Sequence, residues 1–118
     1  MPQYQVSPLA QSDIVNILSH YQAQFGIACR QRYQELILTA LEDIGAVPYR
    51  IGSSFRDEIA PGLRSFHLLH SRKRAANSEG VVHKPQHVIF YRLADDQAIE
   101  VVRLVHETAE ARLHLPKE

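Results

Sequence analysis

The chain carries seven histidines, and three of them, His67, His87 and His106, stand in or beside apolar runs with arginines close by. These are the residue types that phosphodiester cleavage asks for. One imidazole takes a proton, another gives one, and a guanidinium steadies the charge developing on the phosphate. If the strands that carry them are neighbours, His67, His87 and His106 would meet, with Arg64 or Arg72 as the cation. The plainer alternative is three surface or supporting histidines, since His67 alternates away from Phe66 and Leu68.

Two further arginines sit near the middles of apolar runs in "HVIFYRLADDQAIEVVRLVHE", residues 87–107. A guanidinium is costly to bury, so Arg92 and Arg103 each need an anion. One source is internal, a carboxylate of the second helix such as Glu35, Glu42 or Asp43. The other is a partner's carboxylate or phosphate, gripped by the planar fork. Arg103, set among valines and isoleucines, reads as the inward pair holding helix to sheet. Arg92, near the turn, reads as the one that reaches a partner. A four-residue hairpin connection, Asp95–Ala98, would place both on one face.

Metal spacing is thinner. His67 and His70 are three apart on an expected strand, hence on opposite faces, and Pro85 interrupts any helix between His83 and His87. His106, Glu110 and His114 would align on a helical tail with zinc-like spacing. A polar helix face explains them as well, so neither a metal nor a cofactor is expected. Cys29, the single cysteine, falls on the apolar stripe of its helix and reads as a buried core thiol.

The elements that must position these groups are legible from periodicity. "YQVSP" is a short strand ending at a helix start, with Ser7 as N-cap and Pro8 at the first helical position. Ile14, Ile17, Leu18, Tyr21 and Phe25 then recur at helical spacing until Gly26. A second stripe holds Cys29, Tyr33, Leu36, Ile37, Ala40, Leu41 and Ile44 and stops near Gly45 and Pro48. Residues 48–61 read as irregular. Strand-like runs follow at 63–71, 87–93 and 98–107, the first two separated by a long polar loop, 71–86. "TAEARLHLP" reads as a turn or two of helix. The expected fold is α+β: an N-terminal strand, then a helical hairpin packed on a small antiparallel β-sheet (β-α-α-β-β-β), then a short C-terminal helical tail. One sheet face or edge would be left for a partner.

At 118 residues one domain spanning 1–118 is expected, long enough to bury a core without staples. One cysteine excludes an internal disulfide, no apolar run approaches the ~20 residues of a membrane span, and the first residues carry no apolar signal core. A cytoplasmic protein with no membrane contact is expected. The formal net charge is zero, yet residues 62–93 hold six Lys and Arg against one Glu. That basic middle favours an anionic partner, nucleic acid or an acidic protein segment.

The series "YQVSPLAQSDIVNILSHY" (4–21), "PGLRSFHL" (61–68) and "VIFYRLADDQAIEVVRLVH" (88–106) resembles the RelE/ParE superfamily of bacterial toxins from type II toxin–antitoxin pairs, most closely the ParE branch. The resemblance implies a helical hairpin against an antiparallel sheet. It implies a toxin that inhibits DNA gyrase by protein binding and forms a hetero-oligomer with a cognate antitoxin that neutralises it. Arg64, Arg72, Arg92 and Arg103 are the partner-binding candidates on that reading. The alternative within the superfamily is a RelE-like, ribosome-dependent mRNA endonuclease, with Arg64, His67, His87 and His106 as its catalytic set. Against it, "FHLLH" stands where RelE-type members carry lysines, no tyrosine follows Tyr91, and no basic residue follows His106 until Arg112. A third possibility is a non-toxic relative that only binds its antitoxin. Glu107 stands where ParE relatives commonly have glycine, and the 71–86 loop is longer than usual for the family.

Overall fold

Residues 4–77, 80–94 and 98–112 are described by a computed structural model. The N-terminal strand β1 (Tyr4–Val6) runs into α1 (Pro8–Phe25) through Ser7. The Ser7 hydroxyl accepts from the Ala10 N–H at 3.1 Å, capping the helix, and itself donates to the Val102 carbonyl at 3.1 Å. One serine thus starts the helix and ties its start to a strand almost a hundred residues later. Gly26 alone separates α1 from α2 (Ile27–Ala46). Its φ of 92° lies where only glycine is unstrained, and its N–H donates to the Gln22 carbonyl at 3.0 Å. A one-residue joint folds the helices back on each other.

The sheet has five strands in the order β1-β5-β4-β3-β2. Strands β2 (Ser53–Phe55), β3 (Arg64–His67), β4 (His87–Leu93) and β5 (Ile99–His106) pair antiparallel in turn, whereas β1 pairs parallel to β5. The α+β class stands, but the sheet is mixed, not antiparallel throughout. The reason is α1 and α2: the chain leaves the sheet after β1 and returns on its far side, so β1 ends beside the strand made last.

Several boundaries differ from the sequence reading. A short strand, β2, lies inside the stretch read as irregular. The run 63–71 is a strand only as far as His67; Leu68–Ser71 form a 3₁₀ turn and Arg72–Ala75 a short helix, α3. His70 is therefore not on a strand, and the 71–86 loop carries structure of its own. Asp43 explains why. Buried on α2, it accepts from the Ser71 hydroxyl at 2.5 Å and from Arg74 Nε at 2.7 Å, with Glu42 taking Arg74 Nη2 at 3.0 Å. The expected helical tail begins as a 3₁₀ stretch at Glu107; residues 113–118, His114 among them, lie outside the described residues.

The main core lies between the hairpin and one sheet face. Tyr33, Leu36, Ile37, Ala40, Leu41 and Ile44 of α2 meet Phe66, Ile89, Tyr91, Ile99, Val101 and Leu104. Cys29 is half-buried, not a core thiol as its place on the stripe suggested. The opposite face is not left bare: Ile59, Ala60 and Leu63 fold over Val88, Phe90 and Val102 in a second, smaller cluster.

The β4–β5 ladder contains a bulge. Leu93 pairs with Ile99 and Tyr91 with Val101, but Phe90 pairs with Arg103, so Val102 is the extra residue. Residues 94–98 make a five-residue connection, which by alternation alone would put Arg92 and Arg103 on opposite faces. With the bulge in between, turn length and alternation do not decide how the two arginines lie: Arg103 reaches Asp13 on α1 and Arg92 reaches Glu100 on β5. No helix among the described residues is long and apolar enough to cross a membrane.

Candidate functional site

Strands β3, β4 and β5 bring the three histidines together at one end of the sheet. His67 lies across from Val88, and His87 pairs directly with His106, their rings 5.4 Å apart and nearly perpendicular. The histidine ring nitrogens are then assigned by their partners. Tyr33 Oη accepts from the Gln86 N–H at 3.2 Å, so its own proton points at His87 Nδ1, 2.6 Å away. His67 Nδ1 accepts from the Leu69 N–H at 3.0 Å, which leaves Nε2–H to donate to Glu107 Oε1 at 2.9 Å. His106 Nδ1 accepts from the Thr108 N–H at 3.2 Å.

In each of the three rings Nδ1 faces a donor of the protein itself, the Tyr33 hydroxyl or the Leu69 or Thr108 N–H. Burial first, then the neighbouring His106 and His67, pushes the His87 pKa down to about 4. The hydrogen bond from His67 lowers the pKa of the Glu107 carboxyl. Burial also drives the Tyr33 hydroxyl far up, so it stays a donor. A general base needs a bare nitrogen facing its proton. At Nδ1 none of the three offers one in this arrangement, and His67 Nε2 is engaged with Glu107. Among the described residues, no group of three metal-ligating side chains is placed to hold an ion.

The arginines do not gather. Arg64 is at the far end of β3, away from the histidines, with its guanidinium between the rings of Tyr49 and Phe55 at 4.5 and 4.3 Å. Arg72 donates from Nη1 to the His83 carbonyl at 2.7 Å, closing the base of its loop. Arg92 pairs across the ladder with Glu100 at 2.9 Å. Arg103 grips Asp13 through Nε at 2.8 Å and Nη2 at 3.0 Å, and Asp13 also accepts from the Leu104 N–H at 3.0 Å. The internal anion is thus on α1, not one of Glu35, Glu42 or Asp43 on α2, whose acids at 42 and 43 are committed to Arg74. Asp13 could not be chosen from sequence because residue patterning does not say which helix lies over Arg103.

The surface holds two features that residue-type reasoning missed. An open groove of about 440 Å³ runs between α1, α2 and β1, lined by Tyr4, Val6, Ile14, Val15, Leu38 and Leu41. At the opposite edge of the sheet, Tyr49, Ile51 and Phe55 are exposed around β2. The signal for the groove was present as Val15 and Leu38, apolar residues beside the main stripes.

A helical hairpin covering one face of a small sheet, entered through a Ser-Pro capped helix, is the architecture of the toxin superfamily that the sequence resembles. Residues 4–110 match the family model described as the ParE toxin of type II toxin–antitoxin system, parDE, and the chain belongs to that family. Toxin ParE1 of Mycobacterium tuberculosis, from strain CDC 1551 / Oshkosh and from strain ATCC 25618 / H37Rv, is 30% identical over 112 residues, spanning 95% of this chain and 96% of the relative.

Proposed function

We propose that this chain is a toxin that acts by binding DNA gyrase, not by chemistry of its own, and that a cognate antitoxin neutralises it by occupying the groove between α1, α2 and β1. Family membership supports the toxin role; the gyrase target rests on the resemblance to the ParE branch. The observation that carries the protein-binding reading is the groove itself. Its lining is mostly apolar, it stays open, and it lies along an edge strand, a shape suited to an amphipathic segment that folds on binding. Arg72, Arg92 and Arg103 have internal partners, so on this reading they shape the surface more than they grip. Both toxin and target would work in the cytoplasm.

A second reading is favoured by one observation, the meeting of His67, His87 and His106. A ribosome-dependent mRNA endonuclease would use Nε2–H of His87 or His106 as an acid, and it would need a base and a phosphate-binding cation from elsewhere, because Arg64 is not beside them. Two parallel assays of the purified protein separate the readings. Gyrase supercoiling with trapping of cleaved complexes should respond, while mRNA on translating ribosomes stays intact. Fragmented mRNA with unaffected gyrase would overturn the proposal, and inertness in both would leave an antitoxin-binding relative.

A further inference from the structure

Arg64 is only 8% exposed, yet among the described residues no carboxylate lies within ion-pair distance of it. Its Nε–H donates to Ser53 Oγ at 2.7 Å; Ser53 hydrogen-bonds Tyr91 Oη, and Tyr91 donates to the Pro48 carbonyl at 2.5 Å. That relay fixes the guanidinium's plane and uses one of its five N–H groups. Nη2 reaches only the Ser53 carbonyl, at the outer limit of 3.5 Å. No buried side-chain nitrogen or oxygen among the described residues lacks a partner, and the Arg64 charge also acts on the Tyr91 hydroxyl beside it. A buried cation held between two aromatic faces, with no carboxylate of the described residues beside it, is a socket for an anion.

The socket sits on an unpaired edge. The Arg56 N–H donates to the Leu63 carbonyl at 2.8 Å, so by antiparallel alternation Ser54 also bonds inward to β3 and the backbone N–H and C=O of Phe55 face outward. Among the described residues no strand pairs there. Ile51 is 96% exposed and Phe55 71%, leaving apolar surface on the socket's rim. We infer that this edge is a second docking site, taking an extended acidic segment of a protein partner that lies along β2 and places one carboxylate on Arg64. Protein is favoured over nucleic acid because the neighbouring cations are already committed, Arg50 to Asp43 at 3.8 Å and Arg56 to Glu58 at 2.7 Å. One available charge beside open backbone groups suits a strand, not a phosphate tract. In the order β1-β5-β4-β3-β2 this edge is the one farthest from the groove, so both can be occupied at once. The inference does not depend on which target the toxin has.

The test is titration of the isotope-labelled full chain, followed by amide and side-chain NMR, with the peptide acetyl-Val-Asp-Val-Asp-Leu-amide. Shifts should centre on Phe55 and Arg64, and the asparagine analogue should bind at least tenfold more weakly. Ile51→Glu, at a position too exposed to support the fold, should weaken binding at least tenfold with an unchanged melting temperature. Arg64→Lys, keeping charge without the fork, should also lose most affinity. Equal binding of the asparagine analogue, shifts centred on the groove, tighter binding of a dT oligonucleotide, or dilution-dependent shifts showing a second copy on this edge would each overturn the inference.

Discussion

Protonating His87 would place a charge in a nearly closed site beside His106 and His67, and would displace the proton Tyr33 directs at Nδ1. The unfolded imidazole titrates near 6.5 and the folded one near 4. Between those values the unfolded chain holds the extra proton, so stability from this residue is full above pH 6.5 and declines as pH falls to 4, by about 3 kcal/mol in all. Urea midpoints measured from pH 7.5 to 4 should show that decline, and His87→Gln should flatten it. A wild-type profile no steeper than the variant's would refute the assignment. Arg103→Ala leaves the largely buried Asp13 with the Leu104 N–H but no counter-charge, and should cost about 2–3 kcal/mol, read as a lower urea midpoint. The demand for an anion at Arg103 was legible from an arginine among aliphatics. Its supplier was not, because sequence patterning says nothing about which helix passes over a given strand position. The same holds for the histidines: spacing could suggest their meeting, but only the backbone donors at Leu69 and Thr108 reveal that Nδ1 of His67 and His106 is already engaged.

Elements with a repeating pattern could be read and short ones could not. Helix α1 shows both its boundaries in residue types, Ser7-Pro8 at one end and Gly26 at the other, because caps are local chemistry. Strand β2 is three residues long and has no room for a period, and α3 exists through tertiary contacts with Asp43. Asp43→Ala should therefore loosen the Ser71–Arg74 segment from α2 and lower stability by roughly 1–2 kcal/mol, since it leaves the buried Ser71 hydroxyl without its acceptor while Arg74 keeps Glu42. Hydrogen exchange in 71–75 should rise more than in α1. The turn before β2 has its own constraint. Gly52 has φ of 101°, and a Cβ there would fall 2.7 Å from the His70 ring. Gly52→Ala should cost about 1–3 kcal/mol through strain and collision, a larger loss than Ile51→Ala next door, with thermal melting as the readout.

At the scale of the molecule, the class of the fold was accessible from element order, while the sheet's mixed pairing was not. Which edge β1 joins depends on the route taken by the helical hairpin, a property of the packed whole. That joining also creates the groove, since Tyr4 and Val6 form one of its walls. Val15→Lys, on a groove wall 62% exposed, should leave the free protein's stability within about 0.5 kcal/mol. It should also abolish most of the rise in melting temperature that saturating antitoxin produces. A full rise in the variant would place the antitoxin elsewhere.

The parallel seating of β1 against β5 sets a timetable for biosynthesis. Tyr4–Val6 are the first of the five strands to be translated, but the strand that receives them is the last. The helical hairpin can form early from local contacts, while its apolar underside waits for a sheet that does not yet exist. The working shape is therefore reached only after β5 has been made, and until then the surfaces of Leu36, Ile37 and Leu41 are unfilled. An antitoxin already present would meet a half-built toxin before it meets a finished one.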